Sequence, residues 1–195
     1  MALCIALVVA FVLCGAPVTA SERLANGRYW TNTPRDIFFR CSFPTNEREA
    51  VRKAMQKWNA VKTPTNKAMV SMYLTTNSDE RNVIRYTTSY DKWIGYTDAS
   101  WDHDTGEMYT VEILLTDVVN WSVGGSSTSY DIQTVVEHEL GHTLGVAHCH
   151  EEEDGDGPCW SQTCLSNVMY WQTEKGEVRT TLTSYDKASY IDIYW

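Results

Sequence analysis

His138-Glu139-Leu140-Gly141-His142-Thr143-Leu144-Gly145-Val146-Ala147-His148 decides how the rest of this chain is read. On a helix, residues four apart share a face, so His138 and His142 can turn their imidazoles toward one metal ion. Glu139 follows the first of them, within reach of a water at that metal. Gly145 can adopt positive φ, end the helix and let the chain turn back to deliver His148. Three protein ligands leave a fourth position open, as a catalytic zinc site does and a closed structural one does not. At this chain's own frequencies of His, Glu and Gly, the five fixed positions arise by chance in roughly one chain in 10⁵. Three unrelated structural histidines are the weaker reading.

Working outward, the run Tyr130 to Leu144 reads as the helix carrying this pattern, and residues 120–129, with Gly124, Gly125 and five Ser or Thr, as the loop before it. A first strand is expected around Asp36 to Ser42. Asn46 followed by Glu49 reads as a capping box that opens a helix to about Val61. Val51, Ala54, Met55 and Trp58 fall at i, i+3, i+4 and i+7, one buried stripe. Further strands are expected at Met69 to Leu74, Val83 to Thr87 and Met108 to Thr116, the last rich in β-branched and large apolar residues. Residues 149–181 look irregular. Thr183 with Asp186 forms a second capping box, opening a C-terminal helix through about Ile191. Strands and helices mixed in one unit indicate an α+β or α/β domain.

Composition bounds the function. Sixteen basic and twenty-five acidic residues give a net charge of −9, which disfavours nucleic acid or an anionic membrane as partner. Met1 to Ala20 contain no charged side chain, and Leu3 to Leu13 form an apolar run shorter than the roughly 20 residues that span a bilayer. Val18-Thr19-Ala20 suits a signal peptidase, so residues 1–20 are expected to be a signal peptide cleaved before Ser21. The expected product, residues 21–195, is a secreted, extracellular monomer with no membrane attachment. It keeps Cys41, Cys149, Cys159 and Cys164, an even number that suggests two disulfides in one of three pairings. Asp154 and Asp156, after three glutamates, could supply oxygen ligands to calcium, as could Asp102 and Asp104. One acidic cluster is not a ligand set, and a solvated loop is the simpler reading.

His-Glu-x-x-His-x-x-Gly-x-x-His resembles the signature of the metzincin zinc endopeptidases. That resemblance implies a zincin-like domain: a twisted mixed β-sheet with an antiparallel edge strand, an active-site helix, a methionine turn and a C-terminal helix. Asn167-Val168-Met169-Tyr170 resembles the methionine turn, and Met169 would form a hydrophobic floor under the metal. Among metzincins the chain is closest to the matrixin type, over nearly all of residues 21–195. Arg28-Tyr29-Trp30 resembles the opening of that domain, and Leu182-Thr183 to Asp186 the start of its last helix. Gly106-Glu107-Met108 with Val111 to Leu115 looks like the edge strand along which matrixins bind substrate. Substrate contacts are therefore expected at Ile113, Leu114, Leu115, Tyr170 and Trp171. The pattern also departs from the matrixins. Cys149 stands where they usually place Ser, and Trp171 where many have Pro. Only His103 and His150 remain outside the signature, so the second, structural zinc of many matrixins cannot be assembled in the usual way.

The expected activity is a zinc-dependent hydrolysis of peptide bonds, with one catalytic Zn²⁺ on His138, His142 and His148. Glu139 would take the proton of the attacking water and return it to the leaving amine. Two alternatives belong to other classes. One is a weakly active or inactive zinc-binding protein of the same fold, which loss of Glu139 would mark, and Glu139 is present. The other is a zinc hydrolase acting on a non-peptide amide.

Overall fold

Alternation sets the first strand. In β1 (Arg35–Cys41), Ile37 and Phe39 are buried while Phe38 and Arg40 face outward, the period of two expected when one face of a sheet is covered. The computed structural model describes residues 27–88, 93–149 and 165–195; the expected signal peptide, the Asp154–Asp156 run, Cys159, Cys164 and His150 lie outside them. The described residues form a mixed α+β domain. Its main sheet has five strands: β1, β2 (Val70–Thr75), β3 (Val83–Thr87), β4 (Gly95–Trp101) and β5 (Met108–Thr116). Their order is β2-β1-β3-β5-β4; β4 runs antiparallel to β5 and every other neighbour pair is parallel.

The expected strands at β1, β2, β3 and β5 are present within a residue of their bounds. β5 is not the edge. It pairs with β3 on one side and β4 on the other, and Val111, Ile113, Leu114 and Leu115 are all buried. A near-continuous apolar run is what an interior strand with both faces covered requires. The edge beside β5 is β4, which the sequence reading passed over: its strand formers Tyr96, Thr97 and Trp101 are mixed with Gly95, Asp98, Ala99 and Ser100, and it gains its place from pairing with β5.

Helix α1 (Thr45–Asn59) buries Ala50, Val51, Ala54, Met55 and Trp58 as the stripe predicts. Its start differs from the expected capping box. Pro44 occupies the cap with no side-chain hydrogen bond, because its fixed φ preorganises the first turn and opens the helix before Asn46 could cap it. Glu49 instead pairs with Arg52 at 2.9 Å on the surface. At the other end the Asn59 amide accepts from Met72 N–H and donates to Met72 C=O, both at 2.8 Å, tying α1 to β2.

Helix α2 (Ile132–Thr143) packs against α1 and against β4, with the Trp58 indole donating to the Glu137 carbonyl at 2.8 Å. It begins two residues later than expected. A short parallel pair, β6 (Trp121–Ser122) with β7 (Tyr130–Asp131), occupies part of the expected loop and leads into the helix. Asp131 caps α2, its Oδ1 accepting from Thr134 N–H at 2.8 Å. Helix α3 (Ser184–Tyr194) carries the predicted Thr183–Asp186 capping box and runs three residues past Ile191. No helix among the described residues is long and apolar enough to cross a membrane.

Candidate metal centre

The local sequence explains how three imidazoles meet. His138 and His142 lie one turn apart on α2, and a Schellman ending follows: Val146 N–H donates to Gly141 C=O at 3.0 Å and Gly145 N–H to His142 C=O at 2.9 Å. Gly145 has φ +81°, and a Cβ there would run into the carbonyl oxygen of Arg28. Only glycine takes both the conformation and the close approach. The reversed chain returns His148, and the Nε2 atoms lie 3.1 Å apart for His138–His148, 3.1 Å for His142–His138 and 3.0 Å for His142–His148.

The tautomers follow from the far sides of the rings. His138 Nδ1 faces the Val168 carbonyl at 2.8 Å and His142 Nδ1 the Val146 carbonyl at 2.9 Å. A carbonyl only accepts, so both Nδ1 atoms carry the proton and both Nε2 atoms present lone pairs. Burial, then the neighbouring imidazoles, hold His138 well below its usual range and His142 down to about 3. Converging lone pairs cannot satisfy one another, but they could share a cation. Nitrogens on one tetrahedral zinc at about 2.0–2.1 Å would stand roughly 3.3 Å apart, close to the observed separations. Among the described residues, these three form the group able to hold a metal.

Glu139 stands beside the triad, almost fully buried. Its Oε2 accepts from the Thr97 hydroxyl on β4 at 2.7 Å. Burial raises its carboxyl to about 7, with the Thr97 hydrogen bond opposing part of the rise. β4 can come this close because Gly95 lacks a Cβ, which would lie 2.6 Å from Val135 Cγ1 and 2.8 Å from Glu139 Oε1.

Met169 is fully buried beneath α2, where a Cβ on Gly141 would collide with its sulfur. Its carbonyl accepts from Cys149 N–H at 2.9 Å. Asp186, buried on α3, receives Val168 N–H and Met169 N–H at 3.2 Å each and Thr183 N–H at 2.8 Å. A relay therefore runs from Asp186 through residues 168–169 to the His138 ring.

Triad and glutamate open into a cleft of about 510 Å³. Tyr170 and Trp171 line it, and so do Trp93, Ile94, Gly95, Tyr96, Thr97 and Ala99 from β4 and its approach. Ile113, Leu114 and Leu115 do not, because they are buried within the sheet on β5. Thr97, Gly95 and Arg179 were missed from the sequence; no local pattern marks them, since long-range pairing brings them here.

The remaining expectations fall elsewhere. Cys149 is buried next to His148, whereas Cys41 is half-buried at the end of β1 with no disulfide among the described residues, and burial pushes its thiol up. Cys159 and Cys164, two of the four cysteines expected to pair, lie outside the described residues. Asp102 already serves its own turn. Its Oδ1 accepts from Asp104 N–H at 2.9 Å and Thr105 N–H at 2.8 Å, and its Oδ2 from the Tyr109 hydroxyl at 3.1 Å. These backbone bonds hold its carboxyl below the usual range. His103 packs on Trp101, with ring centroids 5.0 Å apart. Comparison with family models finds none that matches the chain, and comparison with curated proteins finds no relative.

Proposed function

We propose that this chain is a secreted zinc-dependent endopeptidase of the metzincin group, matrixin-like in type. One observation carries the reading: three Nε2 atoms converge at 3.0–3.1 Å beside a buried carboxylate, in a cleft bordered by an edge strand. Zinc bound by His138, His142 and His148 would supply Lewis acidity toward a carbonyl oxygen and a water made acidic enough to react near neutral pH.

The chain's own residues supply the rest. Glu139 takes the proton of the attacking water and returns it to the leaving amine. Thr97 holds one of its two oxygens and leaves Oε1 for the water. β4, outermost in the sheet and bordering the cleft, offers a template on which an extended peptide adds as a further strand; main-chain hydrogen bonds then give affinity and alternate side chains give specificity. Tyr170 and Trp171 form the facing wall. The uncharged apolar leader, Met1 to Ala20, supports export, and the acidic surface favours peptide over nucleic acid as substrate.

Digestion of a random peptide library by the purified protein tests the reading. Internal cleavage should be present, should stop on metal chelation and should return when zinc is restored. A zinc-loaded, folded protein that cuts no peptide contradicts it.

A further inference from the structure

Two arginines line the cleft, and they are used differently. Arg179, whose guanidinium lies over the Tyr170 ring, is engaged by four hydrogen bonds. Its Nε and Nη2 donate to Glu177 at 2.7 and 2.8 Å, its Nη1 to the Asn167 carbonyl at 3.2 Å, and the Gln172 carbonyl takes a further N–H. Arg28 also lines the cleft, at the Gly145 turn that ends α2. Its guanidinium carbon lies 3.5 Å from the centre of the Trp101 ring, and its buried Nε has no hydrogen-bond partner. None of the ion pairs among the described residues includes it. Buried donors are normally satisfied, and one that is not needs an explanation.

Arg28 is also held in place from both sides. Tyr29 N–H donates to Gly106 C=O at 3.0 Å, and Tyr29 C=O accepts from Met108 N–H at 2.9 Å. The Trp30 indole donates to the Thr143 carbonyl at 2.8 Å, and the Arg28 carbonyl abuts Gly145. Stacking on Trp101 gives the planar fork one orientation. A fixed, unanswered guanidinium is a preorganised receptor for a planar anion.

We propose that Arg28 recognises a carboxylate where it lines the cleft, so that preferred substrates carry an acidic group at one position beside the scissile bond. This rests on the peptidase reading above. The carboxylate can come from an Asp or Glu side chain or from a peptide's own C-terminus.

The test uses peptide pairs that differ only by Glu or Gln at each position around the scissile bond, each made with a free and an amidated C-terminus. Zinc-loaded wild type, Arg28→Gln and Arg28→Glu are compared for cleavage, and for binding by fluorescence anisotropy. At one position Glu should exceed Gln by about tenfold in kcat/KM, with the margin shrinking as salt rises. Arg28→Gln should erase the preference and Arg28→Glu should transfer it to Lys. A preference for the free over the amidated C-terminus would assign the carboxylate to the peptide end instead. Should Arg28→Gln fail to fold, Arg28→Lys, which keeps the charge without the fork, should keep part of the margin. Equal rates for Glu and Gln at every position and for both C-termini, or a preference that survives Arg28→Gln, overturns the proposal. Tighter binding of one acidic peptide with no cleavage keeps the subsite and sinks the peptidase reading; neither cleavage nor a difference in binding sinks both.

Discussion

The floor of the cleft and its rim are built by opposite means. On the floor, two of the three imidazoles hang from a single helix, and the backbone carbonyls of Val168 and Val146 each fix a ring. Asp186 in turn fixes residues 168 and 169. The rim is β4, which comes from a distant part of the chain and reaches the centre through one hydroxyl and one missing side chain, Thr97 and Gly95. The floor is over-determined, so its parts fail together; the rim is a single layer, so its parts fail one at a time.

Breaking the floor at a ligand should have the largest effect. His142→Ala should bring zinc content from about one ion per chain to a small fraction of that, and abolish cleavage. Metal analysis after gel filtration measures the first and peptide turnover the second. Further out, Asp186→Asn should weaken zinc binding by less than the roughly 10- to 100-fold that losing a direct partner of a metal ligand costs, because Asp186 reaches His138 only through Val168. It should also lower Tm, because the Val168 and Met169 N–H groups lose a buried charged acceptor. A competitive zinc titration and a thermal scan read the two effects.

The rim should respond more gently. Thr97→Val removes the hydroxyl that steadies Glu139, and kcat should fall about tenfold with zinc content unchanged. Thr97→Ser should restore most of it. If kcat is indifferent to Thr97→Val, the rim contributes only shape.

The smallest expected effect concerns Glu137, on the side of α2 away from the cleft. It is fully buried, its Oε1 has no partner, and burial raises its carboxyl to about 8. The native state therefore binds more protons than the unfolded state between an ordinary carboxyl pKa and about 8. Stability contributed by this group is present below that window and falls as pH rises through it. Glu137→Gln should leave Tm nearly unchanged at about pH 5 and raise it by a few degrees at about pH 9.

The same contrast explains what could be read from residues alone. His138, His142, His148, Gly145 and Glu139 lie within eleven consecutive positions, and helix geometry plus one glycine is enough to bring them together. Thr183 and Asp186 announce α3 for the same reason, because a capping box is complete within four residues. β4 offers no such local pattern, and its place follows from pairing with β5. The run Val111 to Leu115 did carry a usable signal, since apolarity broken only by Glu112 marks an interior strand; reading it as an edge followed the resemblance rather than the residues. At α1 the Asn46–Glu49 spacing was correct for a cap, but Pro44 had already set where the helix could begin.

The central claim is that Glu139 moves the proton while the three histidines hold the metal. It is tested most directly by comparing wild type and Glu139→Gln at equal, measured zinc content on one cleavable peptide. The account predicts that the variant keeps its zinc, because Glu139 is not a ligand, and loses about 10²- to 10⁴-fold in kcat. Cleavage by zinc-loaded Glu139→Gln at the wild-type rate would contradict it.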